Sequence, residues 1–338
     1  MFKFIQSHLR KILQIVFILS LLILFFIFFK QIDLNQLWNS LQKASYPILF
    51  FALFCSCVMI LIKSFQLSFY LKKIGFSSWF YLFQTTAVWQ MVVNFFPFGG
   101  AEAISIYLFH YKLNVSKIQS ISMMTMEKLA DGISLLAVFL FLAIVSDIPH
   151  WMKSGIYTLT ALILFFLVFV IFIAYRFKNL ELKLAGEMKN RFRTLLSHFS
   201  KWVTHLHLLR DWKRGIYVSI LGIAIKLIEG IILYLIQKSL GFTFPYWTPF
   251  LVIAALNISL SVPVIPGNLG VFEMTVSAVY LYAGANFNTA LSFGILYHLI
   301  YALPPMIIGY LVSLQWGLKI RKISNFGEKP IMHQGESI

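Results

Sequence analysis

Long runs of apolar residues, separated by short clusters of lysine and arginine, dominate the chain. A run of about 18 residues or more is long enough to cross a hydrocarbon core of about 30 Å, because a helix rises about 1.5 Å per residue. The pattern therefore predicts an all-α polytopic membrane protein. We expect about six full spans, at residues 12–29, 47–70, 118–146, 155–175, 214–238 and 288–316.

Two further apolar regions are interrupted by proline and glycine, which break helices. The first break is NFFPFGGAE at residues 94–102, and the second is VPVIPGNLG at residues 262–270. The apolar stretches beside the breaks are short for membrane spans, so we predict that each pair forms a re-entrant helical hairpin. These stretches are 79–96 and 101–111 for the first hairpin, and 248–264 and 269–283 for the second.

The basic clusters fall on one side of this topology, as the positive-inside rule requires. Both termini are then cytoplasmic, the first hairpin enters from the inside and the second from the outside. Residues 176–213 carry nine Lys or Arg against three Asp or Glu, which predicts a cytoplasmic basic segment. Its amphipathic helix, at 184–209, suits either an anionic leaflet or the cytoplasmic ends of the spans. Residues 323–338 form a polar tail.

Composition agrees with a membrane location. The chain is 59% hydrophobic and 12% charged, so the bilayer is the expected solvent. The net charge is +16, and the lysine and arginine residues that produce it lie between the apolar runs. This placement indicates membrane topology and contact with anionic lipid headgroups. We therefore expect membrane lipids as partners and no nucleic acid.

The two breaks suggest an internal repeat. Glu102 follows the first break and Glu273 follows the second, 171 residues later. With that offset, the spans at 47–70 and 118–146 map onto later spans. A single transmembrane domain at 1–322 would then have one half at about 1–146 and another at about 155–320. Because each half holds three spans, the halves have opposite orientations, which predicts an inverted-topology repeat.

Ionisable residues within the apolar runs are the candidates for function, because a charge at the centre of a membrane helix is costly. Glu127, Lys128 and Asp131 lie in one span, where Lys128 has the spacing to pair with Asp131. Lys226 and Glu229 stand three residues apart in another. The first group either locks neighbouring spans together or lines a polar path, and we favour a path. Lys226 and Glu229 either neutralise each other or receive a zwitterionic headgroup. His298, before a Pro-Pro pair, is either a hydrogen-bonded structural residue or a proton relay.

The glutamates after the breaks have two interpretations. In the first turn of a returning helix, a carboxylate caps free amide groups and is favoured by the helix dipole. Those same amides attract a phosphate, whereas the carboxylate attracts an amine or a proton. We predict no metal, cofactor or catalytic residue, because the eight histidines are scattered. The predicted substrate-binding and translocation residues are Pro97, Gly99, Gly100, Glu102, Glu127, Lys128, Asp131, Lys226, Glu229, Pro266, Gly267, Asn268, Gly270, Glu273 and His298.

The series PFGGAE, EKLAD and VPVIPGNLGVFE, followed by a long final span, resembles the lysylphosphatidylglycerol synthase transmembrane region, also called the flippase-like family. The resemblance covers residues 5–320. In the multiple peptide resistance factor, this region precedes an aminoacyl-transferase domain and is implicated in moving the aminoacylated lipid. Few residues follow the last span here, so the resemblance implies the translocating module and a separately encoded lipid-modifying enzyme. Lys128 and His298 stand where the family often has arginine.

We therefore expect a non-enzymatic lipid flippase of a bacterial inner membrane that translocates a phospholipid or a lipid-linked precursor. One alternative is an integral-membrane enzyme acting on a polyprenyl or phospholipid phosphate. Such an enzyme needs serine and arginine in its phosphate loop, where PGNLG offers Asn268. The other alternative is a small-solute exporter with the same architecture.

Overall fold

The computed structural model describes residues 34–71, 79–95, 100–145, 150–176, 202, 212–260 and 268–316. These residues fold into α-helices joined by short turns, without a strand in the described ranges. The helices are α1 (Leu34–Gln42), α2 (Tyr46–Leu71), α3 (Trp79–Phe95), α4 (Gly100–Leu113), α5 (Lys117–Val145), α6 (His150–Arg176), α7 (Trp212–Ser239), α8 (Thr248–Ser259), α9 (Val271–Tyr282) and α10 (Phe287–Gln315). The predicted first span, the amphipathic helix apart from Trp202, and the polar tail lie outside the described residues.

The all-helical membrane architecture is confirmed. Five described helices are long and apolar enough to cross a bilayer: α2, α5, α7 and α10 over nearly their whole length, and α6 over Lys153–Val170. They coincide with five of the six predicted spans. Many of their large apolar side chains face outward, as expected when lipid rather than water is the surrounding solvent.

The helices beside the two breaks are shorter than the spans. Helix α3 has 17 residues and α4 has 14, while α8 and α9 have 12 each. A 12-residue helix is only about 18 Å long, which is less than the thickness of the hydrocarbon core. The central part of each break, 96–99 in the first and 262–267 in the second, lies outside the described residues. Helix α8 ends at Ser259 with Leu260 as its C-cap, and residues 261–264 of the predicted apolar stretch are also outside the described part.

Local sequence explains where α5 begins. Asn114 adopts a positive φ of 52°, which asparagine tolerates well, and this residue separates α4 from α5. Ser116 and Gln119 then form a reciprocal cap. The Ser116 amide donates to Gln119 Oε1 at 2.7 Å, and the Gln119 amide donates to Ser116 Oγ at 3.2 Å. The cap fixes the start of the helix that carries three of the predicted site residues.

The centre of the molecule is the contact between α2 and α7. Helix α5 packs on α7, and α10 packs on α2, so the four long helices surround one region. Two hydrophobic cores flank it. One gathers α7 to α10 around side chains such as Phe293 and Tyr280, and the other gathers α3 to α5 around Phe109 and Val92. Helix α6 packs against α5 at the periphery.

Helix α10 also lies close to α3, and a glycine permits the approach. A Cβ atom added at Gly309 would lie 2.6 Å from the carbonyl oxygen of Ala87 and 2.7 Å from Cβ of Met91. Such distances force backbone atoms apart, so α3 and α10 can pack this closely only if residue 309 lacks a side chain. This contact joins an element beside the first break to the last span.

We expect Gly309→Ala to lower the stability of the detergent-solubilised protein by about 1–3 kcal/mol, because the new methyl group overpacks the contact. The matched control is Gly155→Ala in α6, where an added Cβ has no neighbour within 4 Å. In the control we expect unchanged or slightly raised stability, since alanine favours helix. Thermal unfolding followed by size-exclusion chromatography measures both variants. Equal melting temperatures for the two variants would contradict this account of the contact.

Candidate functional site

A cavity of about 710 Å³ lies among the long helices and the elements beside both breaks. This volume suits a ligand of several hundred daltons. Most of its wall is apolar, but seven lysine, aspartate or glutamate side chains line it: Lys63, Glu102, Glu127, Lys128, Asp131, Lys226 and Glu229. They come from α2, α4, α5 and α7, so only the folded arrangement brings them together.

Lys63 is the centre of this charged group. Its Nζ lies 2.8 Å from Glu127 Oε1 and 3.3 Å from Asp131 Oδ1, which links α2 to α5. Glu127 and Asp131 stand four residues apart, so both carboxylates lie on one face of α5. The Lys63 and Glu127 side chains are 15% and 8% exposed, whereas Asp131 is 31% exposed. The triad is therefore buried at Glu127 and open to the cavity at Asp131.

A second ion pair completes the charged group. Lys226 Nζ lies 3.0 Å from Glu229 Oε2 within α7, as the sequence interpretation of mutual neutralisation predicts. Asp131 interacts electrostatically with Lys226 and Lys128 as well as with Lys63. Tyr301 of α10 is close enough to interact with Glu229 and with the triad. The Lys63–Glu127–Asp131 triad and the Lys226–Glu229 pair, together with Tyr301, thus form one electrostatic network across α2, α5, α7 and α10.

The partner of Asp131 differs from the sequence expectation. The spacing of Lys128 suggested an ion pair with Asp131, but Lys63 occupies that position and the Lys128 side chain is exposed. Spacing within one helix does not decide such a pair, since Lys226 and Glu229 have the same spacing in α7 and do form one. Lys128 still lines the cavity, where its ammonium group has no ion pair with a described residue.

We expect Lys63→Met to destabilise the protein by about 3–5 kcal/mol, because it leaves two buried carboxylates without their cation. Adding Asp131→Asn to that variant removes one of the two like charges, so the double variant should recover part of the loss. Lys117→Met, on the exposed start of α5, is the matched control and should match wild type. Thermal unfolding in detergent measures all three. If Lys63→Met alone is as stable as wild type, the triad does not hold α2 and α5 together.

The second break has a different arrangement. Gly270 has a φ of 83°, which favours glycine, and its amide donates to Glu273 Oε2 at 2.7 Å. The other oxygen, Glu273 Oε1, lies 2.7 Å from His298 Nδ1, and Phe272 stacks on the imidazole at 4.3 Å between ring centroids. Glu273 therefore caps α9 and also ties it to α10. Gly294 permits the close approach, since a Cβ there would meet the Glu273 backbone at 2.9 Å.

Glu102 is not equivalent to Glu273 in its contacts. It also lies in the first turn of its helix, α4, but its side chain is exposed and lines the cavity. Neither a hydrogen bond nor an ion pair joins it to another described residue. The capping interpretation is confirmed for Glu273. It stays a prediction for Glu102, because residue 99, whose amide Glu102 would cap, lies outside the described residues.

The other predicted residues divide by position. Asn268 lines the cavity and has a positive φ of 52°, Gly100 begins α4, and Gly270 precedes α9. Glu273 and His298 contact each other and are not among the residues that line the cavity in the described part of the chain. Four predicted residues lie outside the described residues: Pro97, Gly99, Pro266 and Gly267.

Three cavity residues were missed by sequence reasoning. Lys63 carried a usable signal, because it is an ionisable residue within the predicted span 47–70. Trp89 and Tyr301 carried none, since aromatic residues are common throughout membrane helices. Trp89 is 5% exposed, and its indole N–H has no hydrogen-bond partner among the described residues. A buried N–H without a partner at the wall of a cavity favours binding of a ligand or a water molecule that accepts a hydrogen bond.

Comparison with known families fits this picture. The family described as the lysylphosphatidylglycerol synthase TM region matches residues 11–309, almost nine-tenths of the chain. The chain belongs to this family. A search of curated proteins finds no match. The match spans all the described helices except the last residues of α10, so the cavity lies wholly within the matched region.

The chemistry available at this site is recognition of polar groups within the membrane. In the described ranges, no group of three or more His, Cys, Asp or Glu side chains is placed to hold a metal ion. With respect to the described residues, the cavity offers an ammonium at Lys128 and a carboxylate at Glu102 that make no ion pair, and a Trp89 N–H without a hydrogen-bond partner. Such a set can bind a molecule that carries charge of either sign and hydrogen-bond acceptors.

The different contacts of the two glutamates give a direct comparison. We expect Glu273→Ala to destabilise the protein by about 1–2 kcal/mol, the usual effect of losing a helix cap. Glu102→Ala should change stability by less than about 0.5 kcal/mol, because its side chain is exposed and makes no hydrogen bond or ion pair with a described residue. Both variants are compared by chemical or thermal unfolding in the same detergent. If the two variants lose the same stability, the capping role assigned to Glu273 is wrong.

Proposed function

We propose that this protein translocates a phospholipid or a lipid-linked precursor across a bacterial inner membrane and is not an enzyme. The observation that carries the proposal is the cavity, in which charged groups from both halves of the chain face one space between apolar helices. A polar headgroup moving between leaflets needs a hydrated, charged surface at membrane depth, whereas its acyl chains need an apolar one. The ionic network supplies the charged surface for the headgroup, and the exposed apolar faces of the helices supply the apolar surface for the acyl chains.

Unpaired groups in the cavity support a headgroup as the ligand. Lys128 is suited to a phosphate, and Trp89 can donate a hydrogen bond to a phosphate or carbonyl oxygen. Glu102 is suited to an amine or to hydroxyl groups. Family membership supports the same conclusion, because the family is named after the membrane region of an enzyme that makes a phospholipid. A separately encoded lipid-modifying enzyme is the partner that this function implies.

The proposal includes an inverted repeat with two re-entrant hairpins. Under the 171-residue offset, α2 to α5 correspond to α7 to α10. The helix packing is consistent with this correspondence. Helix α3 packs on α2 and α4, as α8 packs on α7 and α9; α10 packs on α2, as α5 packs on α7. Helix α2 packs on α7 at the centre, where a pseudo-two-fold axis would pass. Transporters built in this way hold substrate between the halves, near the breaks.

The short helices support the re-entrant hairpins. Helices α8 and α9 pack on each other and are each too short to cross the hydrocarbon core. Helix α4 is also short, and it packs on α3. Irregular backbone between such helices is tolerated at membrane depth where protein or a cavity surrounds it. With the positive-inside rule, this topology places both termini in the cytoplasm.

A lipid-translocation assay tests the function. Wild-type protein is reconstituted into phosphatidylcholine vesicles that contain trace fluorescent phosphatidylglycerol or phosphatidylethanolamine, and dithionite then bleaches the outer leaflet. We expect bleaching beyond one half of the fluorescence, because lipid from the inner leaflet reaches the outside. Lys128→Gln should slow the phosphatidylglycerol exchange by about tenfold, the effect of losing one charge-assisted contact of about 1.4 kcal/mol.

The assay needs a control and a competing measurement. Lys117→Gln removes a lysine from the same helix at an exposed position outside the cavity, and it should exchange lipid at the wild-type rate. In parallel, phosphate release from a polyprenyl pyrophosphate is measured. Phosphate release without movement of either fluorescent lipid would refute the proposal in favour of a membrane phosphatase.

A further inference from the structure

The buried charges of the network do not balance. Lys63 and Lys226 supply two ammonium groups, whereas Glu127, Asp131 and Glu229 supply three carboxylates, which leaves one excess negative charge. An uncompensated charge in a low-dielectric interior is costly. The most open of the three carboxylates is Asp131, with 31% of its side chain exposed toward the cavity. The structure thus has a place where one further positive charge would be stabilised.

The groups that face this place come from every helix packed around it. Helix α2 contributes Lys63 and Tyr70, α5 contributes Lys128 beside the two carboxylates, and α7 contributes the Lys226–Glu229 pair. The remaining polar neighbours in the cavity or beside it are Tyr297 and Tyr301 of α10, Trp89 of α3, Glu102 of α4 and Asn257 of α8. Lys128 also interacts with Asp131, but Glu102 adds a further carboxylate to the same cavity. The three lysines and four carboxylates that line the cavity therefore still leave one excess negative charge.

We propose that Asp131 is a proton-binding site that couples proton movement to lipid movement, with Lys63 as the internal cation that the proton displaces. This inference rests on the proposed function and adds its energy source. A proton from water in the cavity adds to a carboxylate oxygen of Asp131 and converts it to the neutral acid. Lys63 keeps its own protons and its 2.8 Å contact with Glu127, but loses its attraction to Asp131. The net charge of the network rises from −1 to zero.

The distances assign different roles to the two carboxylates. Glu127 makes the shorter contact with Lys63 and is almost fully buried, so it anchors the lysine. Asp131 makes the longer contact, at 3.3 Å, and is reached from the cavity, so it is the carboxylate that exchanges a proton. When Asp131 is neutral, α2 and α5 are joined through Glu127 alone. The strength of the link between two long helices therefore depends on one proton.

A second observation points to an exchangeable partner at the triad. The Tyr70 hydroxyl is buried, with the residue 3% exposed, and has no hydrogen-bond partner among the described residues. It is close enough to interact electrostatically with Glu127, Lys63 and Asp131. An unsatisfied buried hydroxyl beside an ionic triad indicates a water molecule or a mobile proton between them.

The helical backbone favours a proton over a sodium ion. In transporters, sodium sites use carbonyl oxygens from unwound helix segments as well as side chains. Lys63, Glu127 and Asp131 all lie within continuous helices, in which the carbonyl groups are already bonded. Lys63 itself also repels another metal cation. A proton needs no coordination shell and neutralises one carboxylate completely.

The experiment uses the vesicles of the lipid-translocation assay, with a pH gradient of one unit and the membrane potential held at zero. One proton per lipid moved would bias the leaflet distribution of the fluorescent phospholipid by up to about tenfold, because one pH unit corresponds to about 1.4 kcal/mol. A pH-sensitive dye in the lumen should report proton movement when lipid is added outside. Asp131→Asn should remove both effects, and Asp131→Glu should retain them. Lys117→Gln is the control and should behave as wild type.

The outcomes separate this inference from the proposed function. If wild-type protein moves lipid but the distribution ignores the pH gradient, or follows a sodium gradient instead, the coupling site is wrong and the lipid function stands. If no lipid moves, the lipid function fails. The site is then tested by infrared spectroscopy of the solubilised protein, in which the carbonyl band of a protonated carboxylic acid should appear on acidification of wild type and not of Asp131→Asn. If acidification produces no such band in wild type, or the same band in Asp131→Asn, the inference is overturned. Asp131→Glu keeps a carboxylate at this position and serves as the folded comparison if Asp131→Asn folds poorly.

Discussion

The rest of the structure depends on the neutralisation of carboxylates within the membrane by Lys63. An isolated carboxylate at the depth of a bilayer core is costly, so Glu127 and Asp131 must find a cation or an aqueous surface. Lys63 meets that requirement from another helix, which fixes the rotation and depth of α2 relative to α5. Hydrophobic contacts alone would leave those two variables loosely determined, since lipid tails are as apolar as leucine side chains.

The same interaction accounts for the cavity. The long helices α2, α5 and α7 turn charged groups toward one another, so they cannot also fill the space between them with close-packed apolar side chains. Two glycines of α10 allow close helix contacts, Gly309 with α3 and Gly294 with α9. These contacts bring the outer parts of the bundle together around that space. The bundle thus combines a tightly packed periphery with a polar centre.

The two glutamates beside the breaks have different surroundings. Glu273 has a structural role, because one oxygen caps α9 and the other lies beside His298 Nδ1. Glu102 is exposed and lines the cavity. The charged face of α5 lines the same cavity as Glu102.

Sequence alone determined the class of fold, five of the spans, the helices beside the breaks and the family, because apolar run length and Pro-Gly breaks are local properties that the bilayer constrains directly. It also identified most charged cavity residues, since a charge in an apolar run is conspicuous. Only the tertiary structure decided the partners. Lys63 rather than Lys128 pairs with Asp131, and Glu273 pairs with His298. The reason is physical: contacts between helices depend on their mutual rotation and depth, and no spacing within one helix records either.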